Sequence, residues 1–298
     1  MTKAIETAKA LTFGTELEYT SISRERAARA IHTVVGGTIR HTGGGYDEWT
    51  VIAPDGRNWK AVSDGSLTDR ATSAEVVTPI LKWDDIETLQ AVVRELRKAG
   101  AKTPSCTSQH VHIGVRDFTA KQIANFAQIW YKQEELILKA LGTLPSRLAH
   151  YTRPTDREFI DHLEKAKPST RESLNKAWFG YSNPNPVHYD SARYRAVNLN
   201  NVWRMGTVEI RAFNGTTHAG EVKAHIILCL MLAAKAKTAS RASTKKQRPF
   251  NEESAKYDMR VFLLRLGMIG NEFKNTRMHL LKNMPGSTAW KHGRPEGR

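Results

Sequence analysis

Leu11-Thr12-Phe13-Gly14-Thr15-Glu16-Leu17-Glu18-Tyr19 is the stretch that decides the fold, because apolar and polar residues alternate along it. An alternation with a period of two predicts a β-strand that buries one face. Leu17 and Tyr19 would point into the core, and Glu16 and Glu18 would share the opposite face. Two carboxylates on one sheet face are the first indication of chemistry in this chain.

Two later segments repeat this pairing of polar residues around an apolar one. His110 and His112 flank Val111, and Glu209 and Arg211 flank Ile210 in a predicted strand from Thr207 to Phe213. Each pair lies on one face of its strand. A fourth strand signal places Glu75 between Ala74 and Val76, and Asp64 precedes a glycine in a turn. If these strands are neighbours, their polar faces form one surface of carboxylates, imidazoles and a guanidinium.

The other segments define the fold class. Helical periodicity is clear from Asp84 to Ala99, from Thr119 to Leu141 and from Gly220 to Ala236, and Ala196 to Trp203 is a further predicted strand. Strands and helices occur in groups rather than as a βαβ repeat, which favours an α+β fold with a mostly antiparallel sheet and helices on one face. We expect a single domain over residues 1–298. Its core motifs lie within 11–236, and a basic loop and helical extension follow at 237–298.

Composition narrows the class of protein. The 298 residues are 40% hydrophobic and 25% charged, which is ordinary for a soluble domain, and no apolar run is long enough to cross a membrane. Cys106 and Cys229 are far apart in sequence, which predicts no disulfide framework and a cytoplasmic location. The net charge of +15 favours anionic partners such as nucleotides or nucleic acid. A basic surface that only keeps the protein soluble is an equally good interpretation.

Clustered carboxylates repel one another unless cations neutralise them, and Mg²⁺ commonly joins protein carboxylates to nucleotide phosphates. Arg211 offers a planar fork that suits a phosphoryl group or a carboxylate. Each polar pair alone is more typical of a solvated sheet face, so the hypothesis of a metal site depends on their joint occurrence. The chain contains neither a Walker motif nor a Gly-x-Gly-x-x-Gly fingerprint.

Six motifs follow one another along the chain, at Phe13–Tyr19, Asp64–Leu67, Ala74–Leu81, His110–Gly114, Arg193–Asn200 and Gly206–Phe213. Together they resemble the amidoligase family, which belongs with the carboxylate–amine ligases of the glutamine synthetase and glutamate–cysteine ligase type. The resemblance spans Phe13 to about Ala234. It implies a curved antiparallel sheet whose concave face holds metals, ATP and the acceptor.

The resemblance also implies roles for individual residues. The metal ligands would be Glu16, Glu18, Glu75 and Glu209 with one of His110 and His112, and Asp64 would either be a ligand or shape its turn. Arg211 would hold the γ-phosphate or the acyl phosphate, so that Arg211, Glu209 and Glu16 form the catalytic set. Asn198 and Asn200, on one strand face, would bind substrate or nucleotide, and Arg193 or Arg195 would bind a carboxylate.

The implied reaction joins a carboxylate donor to an amine acceptor in an amide or isopeptide bond, with ATP and Mg²⁺ or Mn²⁺ as cofactors. Two alternatives remain open. The same surface could serve a metal-dependent hydrolase, because metal ligands do not distinguish water from an amine as nucleophile. The charge and the run Arg193-Tyr194-Arg195 would also suit a nucleic-acid-binding protein. A basic segment with Lys235, Lys237, Lys245 and Lys246 offers a lid over phosphates, although a solvated loop is the simpler interpretation.

Overall fold

A computed structural model describes residues 3–67, 69–242 and 249–292. Within these ranges eight strands form one sheet in the order β2-β3-β4-β5-β1-β6-β8-β7, and every neighbouring pair is antiparallel. The strands are β1 (Phe13–Thr20), β2 (Thr38–Gly43), β3 (Glu48–Ile52), β4 (Asn58–Val62), β5 (Ser73–Val77), β6 (Ser108–Gly114), β7 (Val197–Asn198) and β8 (Thr207–Asn214). The prediction of an α+β fold with an antiparallel sheet is confirmed.

Eleven α-helices lie within the described ranges. They are α1 (Lys3–Lys9), α2 (Arg24–Val35), α3 (Ile86–Lys98), α4 (Ala120–Leu141), α5 (Pro145–His150), α6 (Arg157–Ala166), α7 (Arg171–Phe179), α8 (Asn200–Arg204), α9 (Ala219–Thr238), α10 (Ala255–Arg265) and α11 (Lys274–Leu281). A capping box opens α4, because the Thr119 side chain accepts a hydrogen bond from the Gln122 amide. Gly142 ends this helix with a φ of 62°. The sequence patterns missed α1, α5 and α7.

The strand order brings the sequence motifs together. β1 lies between β5 and β6, and β6 in turn pairs with β8. In this register Glu18 lies opposite Glu75, Glu16 lies opposite His110, and His112 lies opposite Glu209. Residues directly opposite one another in an antiparallel sheet share a face. The polar pairs of three separate strands therefore meet on one face.

The other face of the sheet is the hydrophobic core. Leu17 is 1% exposed and lies opposite Val76 on one side and Gln109 on the other. Helix α2 packs against β3, β4 and β5, and α9 packs against β6, where His225 Nδ1 lies 2.8 Å from Gln109 Oε1. These two helices cover the apolar face and leave the polar face to the segments between α4 and β8.

One predicted strand is wrong. The segment from Ala196 to Trp203 forms the two-residue strand β7 and then turns into helix α8 at Asn200. The Asn198 Oδ1 atom accepts a hydrogen bond from the Asn200 amide at 2.8 Å, which closes a turn that a sheet ladder would not allow. Asn198 and Asn200 therefore do not share a strand face.

Two predictions concern residues outside the described part of the chain. The predicted basic segment includes Lys245 and Lys246, which fall on residues 243–248, and the predicted helical extension includes residues 293–298. Lys235 and Lys237 lie in the last turn of α9. Within the described residues, no helix combines the length and apolar character that a membrane span requires.

Candidate functional site

Three groups of potential metal ligands follow one another across the polar face. Glu16, His112 and Glu209 form the first group, Glu16, Glu75 and His110 the second, and Glu18, Asp64 and Glu75 the third. Within each group the ligand atoms lie within 4.8 Å of one another. Because Glu16 belongs to two groups and Glu75 to two, the three groups form one continuous chain of ligands. All seven residues that the sequence singled out as candidate ligands are in it.

The centre of this chain is the contact between β1 and β6. The His110 Nδ1 atom lies 3.0 Å from Glu16 Oε2, and His110 Nε2 lies 3.0 Å from the Ser108 hydroxyl. That hydroxyl donates to Glu18 Oε1 at 2.6 Å, so its oxygen is left to accept from His110 Nε2–H. His110 Nδ1 therefore faces Glu16. A protonated ring donates to the Glu16 carboxylate there, and a neutral ring would share a cation with it.

His112 lies between Thr207 and Glu16. Its Nδ1 atom lies 3.2 Å from the Thr207 hydroxyl, whereas Nε2 is buried and has no hydrogen bond within the described residues. Nε2 lies 3.3 Å from Glu16 Oε1. Burial lowers the pKa of His112, but the charge of Glu16 outweighs burial and leaves this pKa above its ordinary value. Imidazole is a common metal ligand, and this ring lies within one group of potential ligands with Glu16 and Glu209.

Glu209 is held by three side chains. Asn198 and Asn201 donate to its Oε2 atom at 2.6 Å and 2.7 Å, and Arg211 forms an ion pair with Oε1. Burial raises the pKa of Glu209, but the Arg211 charge and the two histidines lower it to about 2. Glu209 is thus a fixed carboxylate anion. The sequence had not singled out Asn201, whose position in the first turn of α8 carried no recognisable pattern.

Glu75 is in the opposite electrostatic situation. Burial first, and then the charges of Glu16, Asp64 and Glu18, raise its pKa well above the ordinary value. Asp64 reaches this group from its turn, where Oδ1 accepts a hydrogen bond from the Ser66 amide at 2.5 Å. Four carboxylates at close range cannot all be ionised without positive charge between them. Within the described residues, the negative charge around Glu18, Asp64 and Glu75 therefore exceeds the positive charge.

The polar face is more enclosed than the sequence suggested. A strand with charged residues at alternate positions predicts a solvent-facing surface, but Glu18 is 4% exposed and Glu209 is 1% exposed. Residues from α5, β7 and α8 border this face, so it differs from the solvated face that each polar pair alone would suggest. Alternation identifies the two faces of a strand and does not reveal what covers them.

Arg147 is a functional candidate that the sequence did not indicate. This α5 residue is 6% exposed, its Nη2 atom donates to the Arg211 carbonyl at 2.8 Å, and its Nε atom is buried without a partner. Burial lowers its pKa, and the nearby Glu18 charge acts in the opposite direction. No salt bridge to Arg147 exists within the described residues. A buried guanidinium without a carboxylate partner is costly unless an anion binds beside it.

The remaining predicted binding residues lie apart from the ligand chain. Arg195 pairs with Asp156 at 2.8 Å, and Arg193 donates to the His188 carbonyl at 3.1 Å and lies over the Tyr189 ring. Asn200 donates to the Val187 carbonyl at 3.1 Å. These residues fix the segment before β7 rather than reach the carboxylates directly.

A cleft of about 460 Å³ adjoins the ligand chain at the start of β1. Gly14 lies in its lining, next to Glu16 and His112, and the strongly exposed Ile80 and Met205 flank it. Arg147 and Glu18 lie toward the other end of the same face, beyond Glu16 along β1. The ligand chain thus lies between an apolar cleft and a buried, unpaired guanidinium.

The fold and this face define a site of clustered carboxylates and imidazoles, and comparison with known proteins identifies the family. Residues 9–233 match a family model described as "Putative amidoligase enzyme". The match covers well over half of the chain and includes β1, β5, β6 and β8. The chain belongs to this amidoligase family, as the six motifs indicated.

The other comparisons add little. No curated protein matches the chain significantly. Among solved structures, a bifunctional glutathione synthetase from Pasteurella multocida is similar with a TM-score of 0.49 and 12% sequence identity. The alignment covers 94% of this chain and 48% of that chain, so this chain spans about half the length of that protein. Similarity at this level is too low to support a conclusion about fold or function.

Proposed function

We propose that this amidoligase is an ATP- and Mg²⁺-dependent carboxylate–amine ligase that acts through an acyl phosphate. The observation that carries the proposal is the continuous chain of seven potential ligands, with Arg211 and Arg147 beside it on the same sheet face. Phosphoryl transfer needs little from a protein beyond positioning and charge neutralisation, and these groups are suited to both.

The residues fit divalent cations. His112 Nε2 lies 3.3 Å from Glu16 Oε1, His110 Nδ1 lies 3.0 Å from Glu16 Oε2, and the pKa of Glu75 is raised, first by burial and then by neighbouring carboxylates. A cation among these groups would relieve the repulsion between the carboxylates. Carboxylate oxygens suit Mg²⁺, and the imidazoles extend the choice to Mn²⁺.

Glu16, His112 and Glu209 would hold one ion, Glu16, Glu75 and His110 a second, and Glu18, Asp64 and Glu75 a third. Bound cations would neutralise the phosphates of ATP and the charge that develops during transfer. Ser108, Thr207 and Asn201 would orient the ligands through their hydrogen bonds.

The reaction would proceed in two steps. An oxygen of the donor carboxylate attacks the γ-phosphorus of ATP, so that ADP leaves and an acyl phosphate forms. The amine then attacks the acyl carbon, the carbon–oxygen bond breaks, phosphate leaves and the amine loses a proton. Arg211, fixed by Glu209, would contact the transferring phosphoryl group. Arg147 would bind an oxyanion of the donor or of the acyl phosphate.

The two ends of the face suit different substrates. The cleft beside Gly14, with exposed Ile80 and Met205, offers apolar contacts to the nucleotide base. The opposite end offers the Arg147 guanidinium to an acid. A nucleotide and an acid that enter from opposite ends would meet at Glu16. The finer features implied by the family resemblance, a curved sheet and a concave substrate face, belong to this proposal.

The test measures ADP release from ATP in the presence of Mg²⁺. Acids from one library are supplied alone and then together with amines from a second library. The expected result is ADP release that requires an acid and amide formation that requires an amine as well. Glu16→Gln should lose this turnover by at least about a hundredfold, because the shared ligand of two ions is lost, while it retains the wild-type fold.

A matched control replaces Glu25, a partly exposed α2 residue that pairs with Arg29 on the helical side of the sheet, by Gln. Glu25→Gln should turn over at the wild-type rate. Hydrolysis of a metal-bound substrate without nucleotide would instead establish the hydrolase, and undiminished turnover in Glu16→Gln would remove the metal-site assignment.

A further inference from the structure

A second cleft lies on the helical side of the sheet, away from the ligand chain. It has a volume of about 470 Å³ and opens between α3, the start of α9 and α11. The Gln90 side chain donates to the Ala219 carbonyl at 3.0 Å and fastens α3 to the first residue of α9. The cleft is therefore formed by the packing of α3 against α9.

Three cations line this cleft without a carboxylate partner. The apolar residues of α3, which include Leu89, Val93 and Leu96, are buried in the core, so Arg94 and Arg97 project from the opposite side of the helix. Lys223 contributes a third charge from α9. None of these three cations forms a salt bridge within the residues that the structure describes.

The carboxylates at the rim are already neutralised. Glu272 pairs with Lys9 at 3.1 Å. Glu221 pairs with Lys282 at 2.5 Å and accepts from the Thr216 hydroxyl at 2.8 Å. The field in the cleft is therefore that of the unpaired cations, and it attracts an anion.

The first turn of α9 adds hydrogen-bond donors. His218 caps this 20-residue helix, because its Nδ1 atom accepts from the amides of Gly220 and Glu221 at 3.2 Å and 3.3 Å. A neutral His218 therefore carries its proton on Nε2 and can donate it. Gly220 allows the His279 ring to pack against the start of α9, since a Cβ atom at position 220 would lie 2.6 Å from His279 Nε2. The positive end of the helix dipole adds to the cations.

The same place contains a potential metal triad of His218, Glu221 and His279, whose ligand atoms lie within 4.8 Å of one another. The contacts disfavour a cation there. His218 Nδ1 is used by the cap, Glu221 is held by Lys282, and Arg94, Arg97 and Lys223 surround the triad. The positive charges of Arg94, Arg97 and Lys223 attract an anion and repel a cation.

We propose that this cleft binds a small phosphate-bearing molecule, separately from the nucleotide of the ligase reaction. Arg94 and Arg97, about one helical turn apart, present two planar forks that suit phosphoryl oxygens, and Lys223 adds a point charge. The volume is in the range of small-molecule sites, and the cleft is closed by three helices rather than extended as a track for a polymer.

The test is a calorimetric titration of the full chain with pyrophosphate in the presence of EDTA, which leaves the ligand chain without metal. The wild type should bind, and Arg94→Glu combined with Lys223→Glu should weaken binding by at least about tenfold. Lys98→Glu combined with Lys121→Glu is the matched control, because it makes the same total charge change on exposed helix positions outside the cleft and should bind within about twofold of the wild type.

Equal affinity in the double variant and the wild type would overturn the proposal, as would binding of Zn²⁺ but not of pyrophosphate. A duplex oligonucleotide that binds through Arg94 and Lys223 while pyrophosphate does not would assign the cleft to nucleic acid and also overturn it. Circular dichroism melting verifies that the double variant folds. ATP turnover in the double variant should equal that of the wild type, so failure here is distinguishable from failure of the ligase proposal.

Discussion

Glu16 on β1 lies directly opposite His110 on β6, and Glu16 Oε2 is 3.0 Å from His110 Nδ1. This contact joins the first and second groups of potential ligands, because Glu16 also reaches His112 and Glu75. Burial raises the pKa of Glu16, but the charges and hydrogen bonds of His112 and His110 hold it well below its ordinary value. Glu16 therefore provides a stable negative charge at the centre of the face.

Glu75→Gln tests whether cations bind beside Glu16. Burial and three carboxylates already raise the pKa of Glu75, so the neutral amide should leave the metal-free melting temperature unchanged or raise it. Mn²⁺ should raise the melting temperature of the wild type by about 4 °C or more and that of the variant by much less. Differential scanning calorimetry with and without Mn²⁺ measures both. An equal shift in the two proteins would contradict the role of Glu75.

Arg211→Lys tests the guanidinium. Lysine retains the charge and can still approach Glu209, so the melting temperature should change little, but it cannot present two parallel donors to a phosphoryl group. We expect kcat to fall by about a hundredfold or more while the fold remains intact. Arg29→Lys, an exposed exchange beside Glu25, is the control. A wild-type rate in Arg211→Lys would remove Arg211 from the reaction.

Asn201→Ala tests a residue that only the structure revealed. It removes the 2.7 Å hydrogen bond to Glu209 Oε2 and leaves Asn198 and Arg211 in place. Loss of one orienting partner should lower Mn²⁺ affinity or kcat by about 10- to 100-fold. Asn200→Ala is matched in chemistry and burial, but Asn200 bonds the Val187 carbonyl instead. If both variants lose activity equally, the effect is structural and Asn201 has no special role.

Because burial disfavours protonation of His225 on the helical side of the sheet, we expect the stability of the fold to fall in acid. Burial lowers its pKa to about 3, so the folded protein does not take up the proton that the unfolded chain binds below its ordinary pKa of 6.5. Folding free energy is therefore lost as pH falls below this value. His225→Asn should lose about 1–2 kcal/mol less than the wild type between about pH 7 and pH 5. Urea unfolding at the two pH values measures this difference, and parallel losses would contradict it.

The sequence revealed more of the site than of its surroundings. Alternation in β1, β6 and β8 identified the polar faces, because side-chain direction in a strand follows from spacing alone. Antiparallel pairing then brought Glu18 opposite Glu75 and His112 opposite Glu209. Residue spacing does not show which distant segments contact one another. The position of Arg147 on α5 and the segments that border the polar face were therefore not predicted.

The strand predicted through Asn200 shows the limit of local patterns. The pattern from Ala196 to Trp203 predicted a strand, but the Asn198 side chain bonds the Asn200 amide and the strand ends there. The resulting turn starts α8 and brings Asn201 to Glu209. A local hydrogen bond thus changed both the fold and the composition of the site.

Crystals grown with Mn²⁺ and a non-hydrolysable ATP analogue provide the most direct test of the central claim. Anomalous diffraction should place metal ions between Glu16, Glu75, Glu209 and the two histidines, with the analogue's phosphates bound to the same ions. Metal or nucleotide bound elsewhere on the chain, with no anomalous signal on this sheet face, would contradict the account.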